Sequence, residues 1–302
     1  MLRKRHHEEK GRFLVLGCGY VGSRLAKEAV QRGFQVTALT RSPEKLKTLG
    51  ASGEIEVIGA DLASDTWHSR IDPSPAAVVN CVASGGGGVA GYRRSYVEGM
   101  DSIARWLSRG GTATAVYTGS IGVYPQNDGG VVDESAETGG HSPYADLLLA
   151  AETRFLSPDF SAARRFVLRQ AGIYGPGRHA FLNRILKGDE RLPGRGNDIM
   201  NAIRVEDVCG AVWAAIEGSD EDAAEVYNVV DDCPTPRREV ANWLSGRLNL
   251  PDPRFEENVS GSDRRARNRR IDNRRIKAAF GWTPRYPTFR EGYEELLTAL
   301  QR

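Results

Sequence analysis

The chain has 302 residues and a mass of 33.1 kDa, enough for one large α/β domain or for a nucleotide-binding domain carrying a smaller lobe. Its 41 basic and 39 acidic residues nearly cancel to a formal charge of +2, which removes any whole-molecule case for a nucleic-acid or membrane surface. The four cysteines, Cys18, Cys81, Cys209 and Cys233, show no paired spacing, which argues against a disulfide framework or a zinc site and suits reduced thiols in the cytoplasm.

Residues 1–10, within "MLRKRHHEEKGR", are expected to form a charged, solvated tail, since the "FLVLGCG" that follows is too short for a signal-peptide core or a membrane span. From residue 11 onward, short apolar runs rich in β-branched residues alternate with helical patterns: "RFLVLG", "SRLAKEAVQRG", "QVTALT", "IEVIGAD", "AAVVNCVA", "MDSIARWLSRG" and "ATAVYTGS". Strands buried on both faces and separated by amphipathic helices predict a doubly wound parallel sheet, a Rossmann-type α/β domain over residues 11–174. From about Gly175 the loops "GPGRHA", "LPGRGND" and "CPTPRRE" break the pattern, with helices expected at "AFLNRILKG" and "VEDVCGAVWAAIEG". Residues 175–302 are expected to form mostly a smaller substrate-binding lobe. That lobe is interleaved with the first domain, because "EVYNVVDD" reads as a strand and residues of about 201–232 can rejoin the main sheet.

"GCGYVG" sets Gly17, Gly19 and Gly22 in G-x-G-x-x-G spacing, with Tyr20 and Val21 between, directly after an apolar strand and directly before a helix. Gly17 permits the tight turn, Gly19 lets the backbone approach a pyrophosphate, and Gly22 allows close helix–strand packing. The second strand ends "LTRS", offering Arg41 where an NAD-preferring site usually offers a carboxylate to the ribose. Its forked guanidinium suits a 2′-phosphate, so NADP is favoured and NAD remains possible. Asp61, after the third strand, either accepts from an adenine amino group or caps a turn. Ala83 and Ser84, at the end of the fourth strand, are placed beside the ribose and nicotinamide, ahead of a glycine-rich loop.

"YTGSIGVYPQ" holds Ser120 and Tyr124, and "SPYADLLLAAE" holds Tyr144. With the glycine motif, with "LRQAGIYGPGR", which contains Ile173, with "NAIRVEDV" and with "YNVVDD", these segments resemble the extended short-chain dehydrogenase/reductase family of sugar-nucleotide epimerases and dehydratases. The resemblance implies an NAD(P)-dependent oxidoreductase or epimerase acting on a hydroxyl or carbonyl of a small, nucleotide-sugar-like substrate. It implies that Ser120 binds the substrate oxygen, that Tyr144 passes a proton, and that Ile173 belongs to the cofactor's surroundings. The family's lysine four residues after the tyrosine is absent, and Leu148 stands on that helical face. This departure, with "RRIDNRRIKAAFGWTPRYPTFREG", is similar to an atypical branch of the family, and it leaves open a second reading, an NADP(H)-binding sensor without efficient turnover.

By the same resemblance Tyr174, Arg178, Asn201 and Arg204 border the substrate cleft, although the two arginines can equally tie loops to the sheet. His179 is a candidate acid or base by its pKa class, or a surface histidine. The basic run "DRRARNRRIDNRR" lacks interleaved aromatics, so a solvated face or a substrate-phosphate site is preferred to RNA. The expected partners are a small-molecule substrate and, at most, a second copy of the chain, with no metal, nucleic acid or membrane.

Overall fold

The computed structural model of the chain describes residues 10–189, 191–218, 223–256 and 268–300. The charged tail therefore lies outside the described residues, apart from Lys10. Two compact units are present, one of Met1–Gly119, His141–Leu168 and Ala215–Val226, the other of Ser120–Gly140, Arg169–Ala214 and Tyr227–Arg302.

The central sheet has seven strands: β1 (Arg12–Leu16), β2 (Gln35–Thr40), β3 (Ile55–Gly59), β4 (Ala77–Asn80), β5 (Thr112–Ser120), β6 (Ala162–Gln170) and β7 (Ala224–Val229). Their spatial order is β7-β6-β5-β4-β1-β2-β3, with β1 parallel to both β2 and β4, β2 to β3, and β4 to β5. This is the doubly wound parallel sheet anticipated from the apolar runs. Phe13, Leu14, Val15 and Leu16 are all fully buried, as a strand covered on both faces requires. The "EVYNVVDD" strand rejoins this sheet at its edge, as β7 beside β6.

The order of the strands fixes where a ligand can enter. The chain leaves β1 for β2 and β3, then returns to β4 on the other side of β1, so the crevice at the carboxyl ends of β1 and β4 is the topological switch point. Helix α1 (Gly22–Gln31) begins there and buries Gly22, Leu25, Ala26 and Ala29, a stripe at helical spacing. A helical run follows the glycine-rich loop after β4, in three consecutive segments: Gly88–Tyr92, a π-helical Arg93–Glu98, and Gly99–Leu107. Its last segment buries Met100, Ile103, Trp106 and Leu107. In the core of this unit the Trp67 and Trp106 rings lie 5.2 Å apart, and their indole N–H groups donate to the carbonyls of Leu62 and Ile71.

The second unit has its own core, including Leu182, Leu192, Val240, Leu244, Phe289 and Leu297. Within it Gly172–Tyr174 pairs in parallel with Ala202–Arg204, and the expected helices appear as Ala180–Leu186 and as Val205–Glu217, whose last three residues belong to the first unit. Among the described residues no helix is long and apolar enough to cross a membrane.

Candidate active site

The glycine loop joins β1 to α1, and each of its glycines meets a different constraint. Gly17 has φ +90°, and a Cβ there would stand 2.7 Å from Val82 Cγ2, so a side chain is excluded both by conformation and by space. Gly22 would place a Cβ 2.2 Å from the Gly17 carbonyl oxygen, closing the loop against its own start. Gly19 differs from both, because no atom lies within 4 Å of its Cβ position. The loop is fastened from below by Gly17 N–H donating to the Leu39 carbonyl at 2.9 Å and by Ser23 Oγ donating to the Cys18 carbonyl at 2.7 Å. At the start of α1, Val21 supplies no side-chain cap and the first turn carries no acid, which leaves the positive end of the helix for an anion. Tyr20 is half-buried and Val21 buried. Burial pushes the Cys18 thiol up to about 12, so this residue packs as a small apolar group instead of acting as a nucleophile.

Arg41 follows β2 with its side chain 49% exposed, and a Cβ on Gly85 would stand 2.8 Å from its Nη2. The guanidinium thus rests on the backbone of the glycine-rich loop that leaves β4. Asp61 caps a turn, its Oδ1 accepting from Ala63 N–H at 3.1 Å, while its Oδ2 accepts from Arg94 Nε at 3.0 Å. Burial alone would raise the Asp61 carboxyl, but the Ala63 amide and the Arg94 and Arg41 guanidiniums outweigh it and hold the group below its usual range. Ala83 is exposed, and Ser84 N–H donates to Tyr96 Oη at 3.3 Å.

Tyr144 opens the helix Pro143–Leu156, which is capped by Ser142 Oγ accepting from Ala145 N–H and carries proline at its first position. Its ring stands edge-on to Tyr92 with centroids 4.7 Å apart, and Tyr92 in turn lies 5.1 Å from Tyr96. A Cβ on Gly88 would be 3.8 Å from Tyr144 Oη, so the glycine-rich loop passes beside the hydroxyl. Leu148, one turn on, is 7% exposed and forms part of the apolar seam of the helix. These groups all belong to the first unit. Tyr92, Arg94 and Tyr96 were not anticipated, and in sequence "GYRRSYVEG" offers only a polar helix surface.

Ser120 and Ile173 belong to the second unit. Ser120 ends β5 with its Oγ accepting from Gly122 N–H at 3.1 Å, and Ile173 is half-buried in the Gly172–Tyr174 strand. Tyr124 is fully buried there: its Oη donates to Asn228 Oδ1 at 2.8 Å and accepts from Arg169 Nη1 at 2.9 Å.

Three of the residues expected to border the substrate cleft have internal partners. Arg204 is wholly buried, donating to the Gly292 carbonyl, Glu206 and Glu295 and lying over the Tyr286 ring, so it ties the Ala202–Arg204 strand to the helix Phe289–Leu300. Asn201 donates to the Arg269 carbonyl and accepts from Ile271 N–H, each at 2.9 Å. Tyr174 is 5% exposed and stacks on Tyr293. Arg178 and Gly175 exchange backbone hydrogen bonds across an exposed turn. Of the basic run, 263–267 fall outside the described residues, while Arg269 donates to the Ile121 and Gln126 carbonyls and Arg274 pairs with Asp272.

The family model of NAD-dependent epimerases and dehydratases matches residues 13–229, from the first residues of β1 to the end of β7. The chain belongs to the NAD-dependent epimerase/dehydratase family. Among its relatives, a 2-alkyl-3-oxoalkanoate reductase of Stenotrophomonas maltophilia is 28% identical over 251 residues, covering 78% of this chain and 74% of the relative. Protein YeeZ of Escherichia coli K12 is 24% identical over 283 residues, covering 90% and 95%. Among solved structures, MoeE5 in complex with UDP-glucuronic acid and NAD superposes with a TM-score of 0.79 at 25% identity, covering 93% of this chain and 96% of that one.

Proposed function

We propose that this family member is an NADP-preferring oxidoreductase or epimerase that acts on a carbonyl or hydroxyl of a small substrate. The observation that carries the cofactor part is the cradle at the switch point: Gly19 opens onto space that a pyrophosphate backbone needs, at an uncapped helix N-terminus, with Arg41 laid across Gly85 at the adjoining strand ends. Gly17, Gly19, Tyr20, Val21 and Gly22 would hold the pyrophosphate, Arg41 a 2′-phosphate, Asp61 the adenine side, and Ala83 and Ser84 the ribose and nicotinamide. When bound, the cofactor supplies hydride chemistry.

The chain's own contribution is orientation and a proton path. In the reductive direction Tyr144 Oη gives a proton to the substrate oxygen, and in the oxidative direction it takes one back. The second unit, which holds Ser120, serves as the substrate lobe. Position 148 carries leucine instead of the family's lysine, so it supplies no ammonium to assist proton transfer at Tyr144, and turnover is slow. The likeness to a named 2-alkyl-3-oxoalkanoate reductase and to a structure holding UDP-glucuronic acid supports 3-oxo acids and nucleotide sugars as the first substrates to try.

The test is NADPH oxidation, and NADP reduction, against panels of both classes, with Tyr144→Phe beside the unmodified chain. Turnover that Tyr144→Phe lowers by roughly a hundredfold or more supports the proposal, in line with the usual worth of a general acid or base. Full activity in Tyr144→Phe removes Tyr144 from the chemistry, and no turnover on either panel with bound cofactor favours a dinucleotide-binding protein.

A further inference from the structure

Two arginines from distant parts of the sequence reach one carboxylate oxygen at the mouth of the cofactor cradle. Arg94 Nε lies 3.0 Å and Arg41 Nη1 3.8 Å from Asp61 Oδ2. Both side chains are about half exposed, at 51% and 49%. The two nitrogens are thus no farther apart than those distances laid end to end, a gap that one phosphate group bridges with two of its oxygens at about 2.8 Å from each donor. Arg94 sits on the π-helical turns of Arg93–Glu98, an irregularity that often marks a functional stretch of helix.

We propose that Arg94 is the second arm of the 2′-phosphate site, closing on the phosphate from the side opposite Arg41, with Asp61 as their shared counter-ion. The inference rests on the NADP reading above and adds a residue to it. Asp61 holds two long, flexible side chains near their working positions, which lowers the entropy lost on binding. Glu98 Oε2, 3.7 Å from Arg94 Nη1, completes a cluster of two cations and two anions that is formally neutral. A ribose 2′-hydroxyl gains little from such a cluster. A phosphate of about two negative charges can compete with single carboxylates for the same forked donors. An exposed ion pair with no ligand would instead be worth little to the fold and nothing to cofactor choice.

The experiment is a fluorescence titration of NADPH and NADH into the unmodified chain, Arg94→Ala, Arg94→Lys, Arg41→Ala and the double alanine variant, with thermal unfolding as a control. Loss of one charge-assisted phosphate contact predicts that Arg94→Ala weakens NADPH by roughly tenfold and NADH by less than about twofold. Arg94→Lys recovers part of the loss, because it keeps the charge without the fork. Equal weakening of both cofactors, or no change in either, overturns the role of Arg94. If Arg41→Ala abolishes the preference while Arg94→Ala leaves it intact, the second arm is wrong and the NADP reading stands. If the unmodified chain does not prefer NADPH, both fall.

Discussion

Alanine at Gly19 separates ligand space from folding space within a single loop. With no atom within 4 Å of its Cβ position and a φ outside the positive region, Gly19 accepts a methyl group without clash. Gly→Ala at such a site stabilises by about 0.4–1 kcal/mol by restricting the unfolded chain. At Gly17 the same change meets Val82 Cγ2 at 2.7 Å with φ +90°, which costs on the order of 2 kcal/mol or more. At Gly22 it meets the Gly17 carbonyl oxygen at 2.2 Å, so the loop must move. Urea unfolding of the three variants, paired with NADPH titration, should show Gly19→Ala at least as stable as the parent yet at least about tenfold weaker for the cofactor, roughly 1.4 kcal/mol of lost affinity. Gly17→Ala and Gly22→Ala should lose stability. Parental NADPH affinity in Gly19→Ala would refute the assignment of that space to the pyrophosphate.

Two further outcomes are expected. Asp231 is 3% exposed and burial lifts its carboxyl to about 8, so the folded chain keeps a proton that the unfolded chain releases near ~4. Its contribution to stability is full below about pH 4 and is lost as pH rises toward 8, by up to about 1.4 kcal/mol per pH unit. Asp231→Asn, which keeps an acceptor for Cys233 N–H, should therefore gain on the parent steadily from pH 5 to 8 in urea unfolding and level off above that; parallel profiles would contradict this. Leu148→Lys replaces a 7% exposed apolar side chain and should destabilise by about 2 kcal/mol in thermal or urea unfolding. It should also raise the rate of alcohol oxidation, and an unchanged rate would show that position 148 does not address Tyr144.

The sheet was legible because β1 and β4 carry apolar runs, Phe13–Leu16 and Ala77–Val79, the signature of strands buried on both faces. The glycine loop was legible because its spacing encodes local geometry. Arg41 was legible as a cation at a strand end, whereas Arg94 was not, since its partner Asp61 is 33 residues away and its own segment reads as helix surface. The same distance effect hid the internal partners of Arg204 and Asn201, whose bonds reach Glu295 and Ile271 across 91 and 70 residues. The contribution of 120–140 to the second unit was also hidden, because its elements are short and its tie through Tyr124 to Asn228 spans 104 residues.

The most direct test of the account is an isothermal titration of the unmodified chain with NADPH and, separately, with NADH. The account predicts saturable binding of one dinucleotide per chain, with NADPH tighter by about tenfold or more. Absence of binding by either dinucleotide would contradict the cofactor cradle itself, and every role assigned around it.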